Sequence, residues 1–130
     1  MRWTFDATTY SAYVEDEVRF FGLADDPVEP EHYLLLQRAE AFDEQDRALG
    51  MATYYVELAG PGAAGYGGIE RVQLAEGQLT LHFSPALSWC QALPSLQVRW
   101  NAELATLAQV EMALEGIFID TDTLIQTPSR

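Results

Sequence analysis

The sequence contains no lysine, so its positive charge comes from seven arginines, which are outnumbered by twenty aspartates and glutamates. The formal net charge is -13. Phosphate contacts dominate the affinity of proteins for nucleic acids, and anionic membrane surfaces attract basic segments, so this balance argues against both kinds of partner. A surface of this charge suits a cationic partner.

Cysteine is nearly absent too. Cys90 is the only one, so the chain cannot form an intramolecular disulfide or assemble a cysteine-based metal site. Residues 1–6 lack the basic start and long apolar run of a signal peptide, and no stretch approaches the length of a membrane span. These absences are consistent with a reducing compartment, and we expect a cytoplasmic protein.

Signals of catalysis are missing as well. His32 and His82 lie fifty residues apart, and neither has a serine or cysteine nucleophile motif beside it. Residues 60–68 are rich in glycine, but a strand and not a helix is predicted to follow, which argues against a phosphate-binding loop. Residues 43–46 lack the glycine-centred loop of a calcium site. We expect no catalysis, no metal and no cofactor; a small hydrolase that uses His32 or His82 with a carboxylate is the alternative.

Apolar side chains, in contrast, are plentiful: 48% of the residues are hydrophobic and 12% are aromatic. A chain of 130 residues with this composition predicts one folded domain over residues 1–130. The clearest local pattern is a β-hairpin, in which Leu79, Leu81 and Phe83 alternate with polar residues. Residues 72–74 form the partner strand, and the turn lies at 76–77. Ile69 is out of phase, which predicts a bulge at the glycine pair 67–68.

Further strands are predicted wherever apolar and polar residues alternate or β-branched and aromatic residues cluster. They cover residues 2–8, 17–24, 33–39, 53–58 and 95–100, with a last extended segment at 117–119. The run at 33–39 is almost wholly apolar, which is typical of a central strand that is covered on both faces.

Three helices are predicted from capping and breaking residues. They cover residues 40–49 before Gly50, residues 86–93 after Ser84 and Pro85, and residues 102–115 after Asn101. The last is the longest and is amphipathic. The fold class is therefore α+β, a mainly antiparallel sheet of five to seven strands with the C-terminal helix packed on one face.

Acidic residues are concentrated in one part of the chain. Eleven of the twenty lie between Glu15 and Asp46, where two arginines, Arg19 and Arg38, occur, and Arg47 follows directly. A solvated, solubilising face is the simple explanation. Aromatic residues are interleaved with these acids, however, and aromatic anchors beside steering charges are typical of a protein interface. The candidate partner-binding residues are Asp25, Asp26, Glu29, Glu31, Phe42, Asp43, Glu44 and Asp46.

Four segments carry a family resemblance: Tyr-Leu-Leu-Leu-Gln-Arg-Ala at 33–39, Asp-Glu-Gln-Asp-Arg-Ala-Leu-Gly-Met at 43–51, Thr-Tyr-Tyr-Val-Glu at 53–57 and Gly-Tyr-Gly-Gly-Ile at 65–69. Over about residues 2–118 the sequence resembles the tenth family of bacterial polymorphic-toxin immunity proteins. The first and last segments are its most specific parts, and the helix at 102–115 is similar only in character.

The resemblance implies an α+β protein that is encoded beside a toxin and neutralises it by binding. Several such toxins are nucleases, whose basic substrate channels an acidic protein can occupy as a phosphate mimic. We therefore expect a cognate toxin, a basic nuclease, as the partner. The resemblance transfers no interface residues and no oligomeric state. The alternative is a non-catalytic regulatory or scaffolding module that dimerises through a sheet edge.

Overall fold

The computed structural model describes residues 2–128, in which ten strands form two five-stranded sheets. The strands are β1 Arg2–Ala7, β2 Thr9–Glu15, β3 Val18–Ala24, β4 Tyr33–Ala39, β5 Tyr55–Ala59, β6 Ala63–Tyr66, β7 Ile69–Ala75, β8 Gln78–Phe83, β9 Ser95–Trp100 and β10 Leu124–Gln126. The helices are α1 Glu44–Ala48 and α2 Leu107–Phe118. No helix in this part of the chain is long and apolar enough to cross a membrane.

The two sheets have different topologies. Sheet I has the order β1-β9-β8-β7-β10, and its two outer strands, β1 and β10, pair in parallel with their neighbours. Sheet II is an antiparallel meander, β2-β3-β4-β5-β6. The predicted fold class is confirmed, since six of the eight strand pairings among the described residues are antiparallel and a C-terminal helix packs on the sheets. The strands do not form the single sheet of five to seven that we expected.

One hydrophobic core joins both sheets and α2. Strand alternation places Leu34 and Leu36 of sheet II and Leu79 and Leu81 of sheet I on the faces that look inward, and all four are fully buried. Helix α2 adds Leu114 and three other buried side chains, and it contacts strands of both sheets. The helix therefore closes the space between the sheets and lies against both.

The predicted hairpin is confirmed. β7 and β8 pair antiparallel, with Leu74 opposite Leu79, and Gly77 in the turn has a φ of +71°. The bulge lies between Ile69 and Arg71, just after the glycine pair that we expected to contain it. The pair itself leads the chain from sheet II into sheet I.

Strand β4 is central in sheet II, but the prediction that both its faces are covered is wrong. Leu34 and Leu36 are fully buried, whereas Tyr33 and Leu35 on the opposite face are only half-buried. An apolar run therefore does not imply two covered faces here. The outward side chains form a surface, which is described below.

The long helix begins five residues later than predicted and continues three residues further. Thr106, and not Asn101, is the N-cap, because its hydroxyl and the Gln109 side chain form a capping box. Asn101 instead caps a turn by accepting a hydrogen bond from the amide of Glu103, 2.9 Å away. Residues 117–118, which we expected to be extended, form the last turn of α2.

Residues 86–93 are turns and not a helix. Trp89 and Cys90 both lie against the glycines of the 65–68 segment. The amides of Cys90 and Leu93 donate to carbonyls three residues earlier, those of Leu87 and Cys90, at 3.2 and 3.0 Å, which is the pattern of separate turns and not of an α-helix. The helix predicted at 40–49 is shorter, with Asp43 as its N-cap. Strands β2, β6 and β10 were not predicted.

Candidate functional site

The outward faces of the two sheets differ in charge. Sheet I exposes Arg2, Arg71 and Arg99, the last of which pairs with Asp6 at 3.1 Å. The residues at outward positions of sheet II, as the strand registers define them, include no arginine. A cationic partner therefore meets less repulsion at sheet II.

The eleven clustered acids lie at two opposite ends of sheet II. The turn from β2 to β3 and the segment around α1 lie at one end, because Val18 pairs with Ala39. The loop from β3 to β4 lies at the other end, where Ala24 pairs with Tyr33. We call the first group the acidic end; it consists of Glu15, Asp16, Glu17, Glu40, Asp43, Glu44 and Asp46. The second group, the 25–31 loop, contains Asp25, Asp26, Glu29 and Glu31.

The predicted partner-binding residues are therefore not one cluster. Phe42, Asp43, Glu44 and Asp46 lie together at the acidic end. The four acids of the 25–31 loop are separated from them by the length of β4, about 20 Å for seven residues. The structure adds Glu15, Asp16 and Glu17 to the first group, next to Glu40, whose amide donates to the carbonyl of Glu17 at 2.9 Å. Partner binding by all these residues stays a prediction.

The aspartates of the 25–31 loop hold the loop's backbone. Asp25 accepts hydrogen bonds from the amides of Glu31 and His32 at 3.0 and 3.2 Å, and its carboxylate lies 3.0 Å from Nδ1 of His32. Asp26 accepts from the amides of Val28 and Glu29 at 2.9 and 2.8 Å. The bonds of Asp26, to amides two and three residues further on, are typical of Asx turns, whereas those of Asp25 close the loop across its two ends. Asp25 and Asp26 thus have a structural role that the sequence analysis did not identify.

These hydrogen bonds make the loop sensitive to acid. Desolvation raises the pKa of Asp25, but hydrogen bonds from His32 and Glu31 outweigh it and leave the pKa below its usual value. Hydrogen bonds from Glu29 and Val28 lower the pKa of Asp26. A carboxyl with a lowered folded-state pKa stabilises the fold above its unfolded pKa of about 3.9.

We therefore expect the loop to loosen as the pH falls below about 4 and through the folded-state pKa values. The protection of the Val28 and Glu29 amides against hydrogen exchange, relative to an unstructured peptide at the same pH, should fall there, while the amides of β8, which no loop carboxylate holds, stay protected as a control. Titration of the Asp25 and Asp26 carboxyls at or above the usual value for aspartate would contradict this expectation.

At the acidic end, Asp43 and Asp46 form a capping box on α1. Asp43 accepts from the amide of Asp46 at 2.8 Å, and Asp46 accepts from the amide of Asp43 at 3.1 Å. The side chains of Glu40 and Glu44 are exposed and have no such role in the structure. The two glutamates are therefore better sites for testing charge than the two aspartates.

Phe42 is half-buried and lies under the guanidinium of Arg38, 5.6 Å from the ring centroid to Cζ. The same guanidinium donates to the carbonyl oxygens of Ile117, at 3.1 Å, and Ile119, at the C-terminal end of α2. Arg38 thus ties α2 to sheet II. Phe42 is accessible only on the side that Arg38 does not cover.

The histidines are engaged in polar contacts. His82 lies 2.7 Å from Oε1 of Gln73 on the outer face of sheet I, and His32 pairs with Asp25. Within residues 2–128, neither imidazole is hydrogen-bonded to a serine or a cysteine, and no three metal-ligating side chains lie close enough to hold an ion. Burial raises the pKa of the Cys90 thiol. The hydrolase alternative gains no support from these contacts.

The outer face of sheet II carries a row of side chains that the sequence analysis missed. Strand pairing aligns Tyr13, Phe20, Gln37, Tyr55 and Tyr66 across all five strands. We call them the aromatic row. Tyr13 stacks on Phe20 with centroids 4.9 Å apart, and Tyr55 lies 5.3 Å from Tyr66. The row could not be assembled from sequence because β2 and β6, which hold its two ends, were not predicted.

The aromatic row lies beside the acidic end and beside Glu57, an acid on the same face of sheet II. A hollow of about 160 Å³ is lined by Gln37, Tyr55 and Tyr66 of the row and by Phe42 and Asp46 of the acidic end. Beside the row, Glu57 accepts hydrogen bonds from Tyr55, at 3.0 Å, and from Tyr33. The bond to Glu57 raises the pKa of Tyr33 to about 12, so this phenol stays protonated at neutral pH.

An exposed aromatic sheet face beside a cluster of acids is typical of proteins that act by binding another protein. The model of a known family, Immunity protein 10, matches residues 4–108. The chain therefore belongs to the Immunity protein 10 family of polymorphic-toxin immunity proteins. The resemblance is thereby confirmed, and the match ends where α2 begins. Comparison with curated proteins finds none that matches the chain.

Proposed function

We propose that this immunity protein binds a cognate toxin, a nuclease, and blocks its basic substrate channel with the acidic end of sheet II. The observation that carries the proposal is the excess of acidic over basic side chains at that end. Seven acids lie there with three arginines: Arg38 binds the C-terminal carbonyls of α2, Arg19 lies against Gly116 of the same helix, and Arg47 lies in the last turn of α1. The acids thus outnumber the arginines that a partner meets at this end.

Charge of this kind acts mainly on the rate of association. Attraction between complementary surfaces raises the association rate above the neutral range of about 10⁵ to 10⁶ M⁻¹s⁻¹, and salt screens it over about 10 Å at 0.1 M. A nuclease channel that binds phosphates presents the complementary sign. The proposal therefore predicts fast association that slows steeply as salt is added.

The proposed function is tested by co-expressing the protein with the product of the adjacent gene. We expect that product to arrest growth alone, to be neutralised by the immunity protein and to co-purify with it. A neighbour that is not toxic, or is toxic and not rescued, contradicts the function.

The acidic-end mechanism is tested by changing Glu15, Glu40 and Glu44 together to glutamine, which leaves the capping box of α1 intact. We expect association with the toxin to slow about tenfold or more at low salt and the difference to shrink at high salt. Stopped-flow or surface-binding kinetics over a salt series measure both effects. Unfolding stability should change little, because exposed charges contribute little to it.

The matched control changes Glu70, Glu76 and Glu103 to glutamine. All three are exposed, lie outside sheet II and carry the same total charge. If both triple variants slow association equally, net charge and not the acidic end is responsible. Tight binding that is indifferent to salt and to the first variant would leave the immunity function intact and remove this mechanism.

A further inference from the structure

Glu57 lies on the exposed face of sheet II, and no arginine or histidine among residues 2–128 forms an ion pair with it. It is half-buried, and its two carboxylate oxygens accept hydrogen bonds from the hydroxyls of Tyr33 and Tyr55. Among residues 2–128, the ion pairs involve other carboxylates, those of Asp6 and Asp25. A carboxylate that has lost part of its hydration and has no counter-ion is stabilised when a partner supplies one.

We propose that Glu57 and the aromatic row bind an arginine-bearing segment of the cognate toxin, an inference that rests on the proposed function. The contact anchors the toxin beside the acidic end. Arginine fits better than lysine, because its planar guanidinium can bond a carboxylate through two N–H groups and stack on neighbouring aromatic rings. Tyr55 provides such a ring next to Glu57, and Tyr66 pairs with Tyr55 across the strands.

The site is organised before a partner arrives. The two tyrosine hydroxyls fix the orientation of the Glu57 carboxylate, and the strands of the sheet fix the rings. Side chains that are already held lose less entropy on binding, which strengthens a contact without adding area. Residues of this kind, aromatic and central in a contact surface, are typical binding hot spots.

The dimensions also suit a protein partner. Five strands at a spacing of about 4.8 Å make the aromatic row about 19 Å long. The hollow with Phe42 and Asp46 continues this surface to the acidic end. A standard interface buries about 800 Å² on each partner, a patch about 28 Å across. The row alone spans about two-thirds of that width, and the acidic end extends the surface further.

A second copy of this chain fits the same surface less well. Face-to-face packing would bring two Glu57 carboxylates together, and neither outward face of sheet II supplies an arginine. Each copy also carries a formal charge of -13. Like charges that are desolvated together oppose association.

The test uses a catalytically inactive form of the toxin domain that the adjacent gene encodes. We expect Glu57→Gln to weaken its binding by about 30-fold or more and Glu57→Arg to weaken it further. The loss should appear mainly in the dissociation rate, because a desolvated charge pair holds the complex after it forms. Neutralising the acidic end, in contrast, should slow association. Glu103→Gln, an exposed glutamate outside sheet II, is the matched control and should bind normally.

A second pair of variants does not alter Glu57. Ala64 is exposed on the edge strand β6 and lies directly opposite Glu57. Ala64→Arg places a guanidinium within reach of Glu57 in the same molecule, whereas Ala64→Met adds similar bulk without charge. We expect the arginine variant to bind the toxin more weakly than the methionine variant and both to unfold at or above the wild-type temperature.

The outcomes separate the two proposals. If the wild-type protein neither binds the toxin domain nor rescues growth, the proposed function fails and this inference fails with it. If the wild type binds and rescues, and Glu57→Gln and Ala64→Arg do so equally well, only the inference is overturned. Self-association of the wild type that the Glu57 variants abolish would assign the surface to a second copy and would also overturn it.

Discussion

Replacing Leu36 with alanine is expected to lower the free energy of unfolding by about 2 to 5 kcal/mol, whereas the same change at Leu35 should cost about 1 kcal/mol or less. The two leucines are neighbours in β4, at the centre of sheet II. Leu36 is fully buried between the sheets, so its removal leaves a cavity that closely packed neighbours cannot fill. Leu35 lies on the outward face and is only half-buried, so solvent can occupy the vacated space.

Urea denaturation of both variants measures this difference, since a lower midpoint with an unchanged slope reports a change in stability alone. The pair is its own control, because residue type, strand and size of the change are the same. Equal losses at both positions would mean that the outward face of β4 is covered as fully as the inward one. That result would also remove the exposed aromatic row as a docking surface.

Local sequence patterns were sufficient to predict an element where the residues of that element alone determine its structure. The alternation of Leu79, Leu81 and Phe83 predicts β8 because a strand with one buried face has a period of two. Gly77 predicts the turn because glycine adopts a positive φ at no steric cost, and its φ in the structure is +71°. The segments of the family resemblance were likewise local, and they led to the family that the match over residues 4–108 shows.

The pairing between distant strands could not be predicted in the same way. Strand β2 has exposed side chains along most of its length, so no burial pattern marks it. Its absence from the prediction hid the alignment of Tyr13 with Phe20 and therefore the aromatic row. The clustered acids lie at two opposite ends of sheet II because of the register in which β3 pairs with β4. Counting acids along the sequence does not reveal that register.

Two residues near the start of α2 are both suited to be its N-cap. Asn101 and Thr106 are both good N-cap residues, and the chain uses both, the first for a turn and the second for the helix. Tertiary packing decides between them. Trp100 is buried at the end of β9, and its indole N–H donates to the carbonyl of Ala105 at 3.1 Å, which holds the intervening residues as a turn.

Strand β6 was missed because its composition, Ala-Ala-Gly-Tyr, is typical of a loop. The glycine in it serves packing and not flexibility. A Cβ atom at Gly65 would lie 2.2 Å from Cγ of Trp89, which packs on this position and forms an edge contact with Phe83, 6.0 Å away. The indole occupies the space that a side chain at position 65 would take, so this position of β6 requires glycine.

Gly65→Ala is accordingly expected to cost about 3 kcal/mol of unfolding free energy, because the indole must move out of its packed position. Trp89→Leu alone should also destabilise, through lost burial. The double variant should be more stable than the sum of the two single changes predicts by about 1 kcal/mol or more, since the smaller side chain leaves room for the new methyl group. Ala64→Val, at the neighbouring outward position, is the control and should have little effect. Strict additivity of the two single changes in urea denaturation would contradict the contact between Gly65 and Trp89, and with it the explanation of why a glycine-rich segment forms a strand here.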